Sequence, residues 1–205
     1  NKTRVVTAIG CLLFGVANAQ WTNSYPKLND FRHQIYLEQH ELPVVGHGVT
    51  DPAASPDGKR LAIASKGWLW LLDLDTGVAT RITDSAAADS RPRWSANGTH
   101  IAFVRDYGND TAVIIKNVNN NEEQTVNTDS IDLDPEFSKD GKYLIYASGK
   151  EGSLDLHRWD IAGQYSQPFT ALHQVERNPR RLASGQGFMY MHGSGAHRTL
   201  RLRNL

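Results

Sequence analysis

Three carboxylates stand at equal distance from three prolines: Asp89, Asp132 and Glu176 each precede Pro92, Pro135 and Pro179 by three residues. Acidic residues repeated at one structural position can form a ring that binds a cation, a basic peptide or a partner domain. The competing reading is local. Each carboxylate caps its own turn, or pairs with a neighbouring base such as Arg91 or Arg177. The three are the candidate binding rim of this chain, and no cofactor or metal site is expected.

Other residue patterns suggest chemistry less well. There is no G-x-S-x-G elbow, no H-E-x-x-H, no Cys–His pair and no phosphate loop. His40, Glu41 and His47 match no standard ligand spacing, so surface histidines explain them. Ser194 lies between two glycines with His192 and His197 nearby, but no acid is placed to orient a base, and the stretch reads as a turn. Trp68, Trp70, Trp94 and Trp159 could stack on sugars. Three of them fall at equivalent or nearby repeat positions, which favours packing between sheets. No interleaving of basic and aromatic residues supports nucleic acid binding.

The elements that would position these groups recur. Pro135-Glu136-Phe137-Ser138-Lys139-Asp140-Gly141-Lys142-Tyr143-Leu144-Ile145-Tyr146 has the layout of Pro52 to Ile63 and of Pro92 to Phe103, and a weaker copy runs from Pro179 to Tyr190. The leading prolines at 52, 92, 135 and 179 are 40, 43 and 44 residues apart, the length of one four-stranded propeller blade. The serine of the motif recurs at Ser55, Ser95 and Ser138, as a structural residue would and a single nucleophile would not. Asp57-Gly58, Asn97-Gly98 and Asp140-Gly141 are hairpin signals, because Gly, Asn and Asp tolerate positive φ.

Small and large residues alternate in Leu61-Ala62-Ile63-Ala64, which suits a strand buried on both faces. Within the repeats, inner strands are expected to open at about Ala53–Ser55, third strands at Trp68–Leu74, Thr111–Val118 and Leu154–Ile161, and outer strands near Val78–Thr83, Gln124–Asn127 and Gln167–Thr170. The expected blades are 51–84, 89–128, 132–172 and 176–205.

The chain has 205 residues, with 22 basic and 22 acidic side chains, 40% hydrophobic and 21% charged content. That composition is globular and carries no global field toward nucleic acid or an anionic membrane. Lys2 and Arg4, the apolar run Val5–Val16 and Ala17-Asn18-Ala19 have the order of a secretory signal peptide, with cleavage after Ala19. Cys11 lies inside it, and the apolar run continues past Gly10-Cys11, unlike a lipobox. The mature chain would then lack cysteine, with 20 bases against 22 acids, and be periplasmic or secreted. Asn97-Gly98-Thr99 is accordingly a turn and not a glycosylation site. Residues 20–50 fall outside the repeat and are expected to form an arm that closes the ring or covers an edge.

The pattern P-x-aromatic-S-x-D-G-K/R, followed by Asp73-Leu74-Asp75-Thr76-Gly77 and Arg81-Ile82-Thr83, resembles the TolB-type, WD40-like propeller repeat over residues 51–205. It departs from that pattern at Ala53-Ala54, where the aromatic is missing, and in the fourth copy. The resemblance implies an all-β, incomplete propeller of three blades and part of a fourth. Such repeats occur in the periplasmic Tol–Pal component, behind a separate α/β domain for which residues 20–50 are too short. They also occur in exported hydrolases whose propeller precedes an amidohydrolase or a prolyl-oligopeptidase-like domain; the layout here resembles this second group, and Gly67-Trp68-Leu69-Trp70-Leu71-Leu72-Asp73 and Ile131-Asp132-Leu133-Asp134-Pro135 resemble its amidohydrolase-linked type more than the prolyl-oligopeptidase-like one. Two functions are therefore expected of the chain. One is a non-catalytic scaffold that docks a protein partner or an attached C-terminal domain. The other is the N-terminal module of a hydrolase whose active site lies beyond Leu205.

Overall fold

The computed structural model describes residues 48–170 and 174–205. The expected leader, the arm up to His47, Cys11 and the His40–Glu41–His47 group lie outside the described residues. What is described is all-β: four antiparallel meanders, each a sheet whose strands follow chain order.

The first sheet contains β1 (Thr50–Ala54), β2 (Arg60–Ser65), β3 (Trp68–Asp73) and β4 (Ala79–Arg81). The second contains β5 (Ala88–Trp94), β6 (His100–Asp106), β7 (Thr111–Asn117) and β8 (Glu123–Val126). In the third are β9 (Asp132–Phe137), β10 (Tyr143–Ser148), β11 (Asp155–Asp160) and β12 (Tyr165–Pro168). The fourth has β13 (Glu176–Arg181), β14 (Gly187–His192) and β15 (Thr199–Asn204). The first strands β1, β5, β9 and β13 pack beside one another in succession, and the later strands radiate outward. This is an incomplete β-propeller, three four-stranded blades and a three-stranded one.

The period-2 alternation of the sequence sorts side chains between neighbouring blades. Ala62, Ala64 and Leu69 meet Trp94, Ile101, Phe103 and Ile114 across the first interface. Ala102, Val113 and Ile115, on the other face of the second blade, meet Phe137, Leu144 and Tyr146. Ile145, Ala147 and Leu156 meet Phe188 and Tyr190 across the third. Strand β6 is buried on both faces because both its neighbours are sheets.

The recurrent serines are held in the turns. Ser138 Oγ donates to Asp140 Oδ1 at 2.6 Å and accepts the Tyr143 N–H at 3.0 Å. Ser55 and Ser95 repeat this with Asp57 and Asn97. Gly58, Gly98 and Gly141 follow at φ near +70°, which is why glycine stands there. In the fourth blade the main-chain turn survives without the serine, closed by the Leu182 N–H to Gly187 O bond at 2.9 Å.

The inner strands differ from the sequence expectation. They begin before the proline, not after it: β1 starts at Thr50, β5 at Ala88, β9 at Asp132 and β13 at Glu176. Each carries a register shift around its proline. Proline has no N–H for the ladder, and a bulge is where a strand accommodates it. The outer strands β4 and β12 are also shorter or earlier than expected, ending at Arg81 and Pro168.

Candidate functional site along the inner strands

The residue before each blade proline is Asp51, Arg91, Asp134 or Asn178, with φ of 52°, 55°, 52° and 53°. Asn and Asp tolerate this left-handed conformation better than most residues, and three of the four positions have one. Each such residue is joined to its counterpart in a neighbouring blade. Asp51 Oδ2 accepts the Arg91 N–H at 3.3 Å, and Asp134 Oδ2 accepts the Asn178 N–H at 3.3 Å. Arg91 Nη1 donates to Asp134 Oδ1 at 3.0 Å, and Arg177 Nε to Asp134 Oδ2 at 3.0 Å. Burial of Asp134 works against its ionisation, but the charges of Arg177 and Arg91 and the bonds from Arg177 and the Asn178 N–H outweigh it. They hold the carboxyl below its ordinary range.

The three sequence-selected carboxylates occupy equivalent places at the starts of β5, β9 and β13, and all are buried: Asp89 is 2% exposed, Asp132 and Glu176 0%. Their surroundings diverge because different residues face them across the hairpin: Arg105, Ser148 and His192. Asp89 receives Arg105 Nε at 2.8 Å and Nη2 at 3.2 Å, a two-pronged ion pair. Arg105 continues to Glu123 at 2.8 Å, where Lys116 joins at 3.2 Å. Burial works to lower Arg105, yet hydrogen bonds and charge from Asp89 and Glu123 raise it further above its already high value.

Asp132 has no base. It accepts the Thr128 N–H and the Thr128 hydroxyl, both at 2.8 Å, and Thr128 Oγ1 lies 2.8 Å from Ser148 Oγ. Burial dominates, and the hydrogen bonds from Ser148 and Thr128 offset only part of it, so the carboxyl is pushed up to about 6. Glu176 is the least provided for: among the described residues no base pairs with it, and neither carboxylate oxygen makes a hydrogen bond of regular geometry. Burial raises the Tyr190 hydroxyl, and Glu176 adds to this by its charge and as a side-chain partner of that hydroxyl.

Arg91 and Arg177, the bases named from sequence, serve Asp134 and not Asp89 or Glu176. Sequence reasoning missed Asp134; the signal was Asp, Asp and Asn before three of the four blade prolines. Arg105 was also missed, and only strand register identifies it.

At the opposite, turn-side end of the inner strands lies a cavity of about 420 Å³ lined by Arg93, Trp94, Glu136, Lys139, Arg180 and Arg181 among others. Arg93, Glu136 and Arg180 each follow their blade proline directly. Arg93 Nη1 donates to Pro92 O at 2.9 Å, and Arg180 Nη1 to Pro179 O at 2.7 Å. Lys139 Nζ reaches Ala183 O at 3.1 Å, and Arg93 Nε is 3.9 Å from Glu136. Burial raises Glu136 against the charges of Arg180, Arg93 and Arg181. Burial and the nearby charge of Arg180 lower Arg93. Nη1 of Arg181 is shielded from solvent and has no hydrogen-bond partner among the described residues.

Ser194 is exposed ahead of a 3-10 turn at Gly195–His197, whose His197 N–H reaches Ser194 O at 3.1 Å, as a turn residue would. The indole N–H groups of Trp68, Trp70, Trp94 and Trp159 all donate within the protein. Among the described residues no group of three or more His, Cys, Asp or Glu is placed to hold a metal ion, and no helix is long and apolar enough to cross a membrane.

The family model described as TolB beta propeller domain matches residues 49–205. The Tol-Pal system protein TolB of Francisella tularensis subsp. mediasiatica is 24% identical over 173 residues, 80% of this chain and 38% of that protein. The chain thus spans well under half the length of this curated relative. The crystal structure of TolB from Acinetobacter baumannii superposes with a TM-score of 0.68 at 22% identity, over 77% of this chain and 41% of that one. A puromycin hydrolase structure gives 0.63 at 19% identity, over 78% and 30%. At these identities the two structures speak for the fold alone.

Proposed function

For a chain that belongs to the TolB beta propeller domain family, we propose the function of an exported interaction scaffold that docks a protein partner, or a domain attached to it, at the ends of its inner strands. The observation that carries this reading is the charged cavity at the turn side, where all four inner strands contribute the residue after their proline: Ala53 and the charged Arg93, Glu136 and Arg180. Propellers commonly place their binding groups around the central channel, on loops and strand ends held by a rigid scaffold. The recurrent serines are engaged in turns.

A photo-crosslinking residue at Ala183, exposed beside the cavity, tests it in the native compartment. The expected result is one trapped polypeptide that is not trapped from Val78 on the outer face. Equal trapping from both positions, or none from Ala183, overturns the reading.

A propeller module of an exported hydrolase, amidohydrolase or prolyl-oligopeptidase-like, is the second reading. It rests on the order of leader-like segment, short arm and blades in the sequence; the puromycin hydrolase structure, of which this chain matches 30%, shares the fold within a longer chain. The intact mass of the protein from its natural source separates the two. A mass at or just below the 22.8 kDa of this sequence favours the free scaffold, and a several-fold larger mass favours the module.

An acidic rim at Asp89, Asp132 and Glu176 is proposed for cations or basic peptides on the strength of the Glu176 oxygens, which make no hydrogen bond of regular geometry among the described residues; the Arg105 pair at Asp89 weighs against it. Replacing all three by Asn removes the proposal if binding and melting are unchanged.

A further inference from the structure

The overall charge of the sequence is balanced, 22 bases against 22 acids, but the turn-side cavity is not. Arg93, Lys139, Arg180 and Arg181 line it, with Glu136 the one carboxylate among the described lining residues, while Asp51 and Asp134 also act on Arg93 from nearby. One carboxylate offers about four acceptor sites, whereas each guanidinium offers five donors. Glu136 engages Arg93 only at 3.9 Å.

Two features show a site prepared for a missing acceptor. The first is the Arg181 guanidinium in the cavity lining, whose Nη1 has no hydrogen-bond partner among the described residues and would meet one in the cavity after a small side-chain shift. Such a group costs stability unless something satisfies it. The second is preorganisation. Arg93 and Arg180 each spend one N–H on the carbonyl of their own proline, which fixes the guanidinium while leaving its other donors. The like charges of Arg93 and Arg180 also disfavour each other, and an anion between them would relieve that.

We propose that this cavity is the docking site for an extended acidic segment of a protein partner, whose carboxylates are bound by Arg93, Arg180, Arg181 and Lys139. The spacing argues for an extended segment over one compact anion. The cations come from β5, from the turn after β9, and from β13, so three successive blades each present positive charge to the one cavity, and a segment with several carboxylates can engage them together. A volume of about 420 Å³ falls within the range of sites for ligands larger than a single small ion. Trp94 and the alanines of the lining supply apolar wall for the methylene groups of such a segment. Glu136, between the arginines, would reject a continuous wall of negative charge and accept a backbone N–H. The inference rests on the scaffold reading and names its ligand chemistry.

Fluorescence polarisation of the full chain with labelled hexaglutamate tests it, with hexaglutamine, inorganic phosphate and an oligogalacturonate as competing probes. The expected result is that hexaglutamate binds and hexaglutamine does not. Binding should weaken at least about tenfold in the Arg180→Gln/Arg181→Gln double variant, the loss expected for charge-assisted hydrogen bonds, and weaken as salt rises. Lys150→Gln, which removes the same type of charge from an exposed loop elsewhere, should change it less than about twofold. Melting curves check that each variant folds, and Arg93→Gln replaces the double variant if that fails to melt cooperatively. Equal weakening by Lys150→Gln overturns the site, and so does hexaglutamate binding no better than hexaglutamine. Phosphate or oligogalacturonate displacing the peptide at equal concentration overturns the assignment to a protein segment. If crosslinking from Ala183 succeeds while hexaglutamate fails, the scaffold reading stands and only the acidic ligand falls.

Discussion

Arg91, at the bulge of the second blade, reaches across to Asp134, at the bulge of the third, and closes a 3.0 Å ion pair with a carboxylate that is 5% exposed. Arg177 of the fourth blade meets the same carboxylate from the other side at 3.0 Å. Asp134 thus ties three blades together near the axis. Asp134→Ala strips both guanidiniums of this buried acceptor, and unfolding in urea should show a loss of about 3–5 kcal/mol. The pH sign is that of a depressed carboxyl. The contribution is fully present above the unfolded value, near 3.8, and is lost as pH falls through the lower folded value. Wild type and Asp134→Asn should therefore converge in stability below about pH 4.

Asp132 predicts the opposite slope. Its carboxyl, near 3.8 when unfolded, is pushed up to about 6 in the fold. Between those values the folded chain holds the extra proton, so this group lowers stability as pH rises from about 4 to about 6, by about 3 kcal/mol in all. Asp132→Asn removes the charge and still lets its oxygen accept from Thr128. Melting temperatures across that window should lose this component of the slope, and the variant should be the more stable at pH 7. A variant that follows the wild-type curve would show that Asp132 is not the titrating group.

Arg105 is the only base on Asp89 among the described contacts, and it also holds Glu123. Arg105→Met keeps much of the stem but leaves the Asp89 carboxylate, 2% exposed, without a counter-charge. A loss of about 3–5 kcal/mol is expected. The double variant Asp89→Asn/Arg105→Met should recover a large part of it, because the cost lies in the stranded charge more than in the lost pair. Urea unfolding of the four-membered cycle measures this.

How these carboxylates divide shows what was legible in the sequence. The blades, the turn serines and the burial of β6 and β10 between neighbours could be read from periods of 2 and about 43 residues. Spacing also placed Asp89, Asp132 and Glu176 at equivalent positions. It could not tell that these positions are interior, because strands that begin before their proline are invisible until the bulge is seen. Nor could it supply the residue opposite each acid, since Arg105, Ser148 and His192 are 16 residues away along the chain and are brought near only by hairpin register. The cavity arginines escaped notice because Arg93, Glu136 and Arg180 occupy a variable slot of the motif, and its character emerges only when three blades are set side by side.

Glu176 gives the sharpest test of whether an orphaned charge is a defect or a site. It is fully buried, its oxygens make no hydrogen bond of regular geometry among the described residues, its side-chain contact is the Tyr190 hydroxyl, and its main chain is anchored by the Glu176 N–H to Leu154 O bond at 2.7 Å. An uncompensated buried carboxylate is destabilising, and the neutral isostere removes that cost while keeping shape. Glu176→Gln should therefore stabilise the chain by about 1–2 kcal/mol, read as a higher melting temperature at pH 7. If the carboxylate is held by the Tyr190 hydroxyl, Glu176→Gln and Tyr190→Phe should each destabilise and the pair should be non-additive. If Glu176 serves a cation, adding that cation should raise the melting temperature of the wild type and leave Glu176→Gln unmoved. A gain in stability with no such cation makes the residue a cost of burial that the fold tolerates, and removes the acidic rim's strongest support.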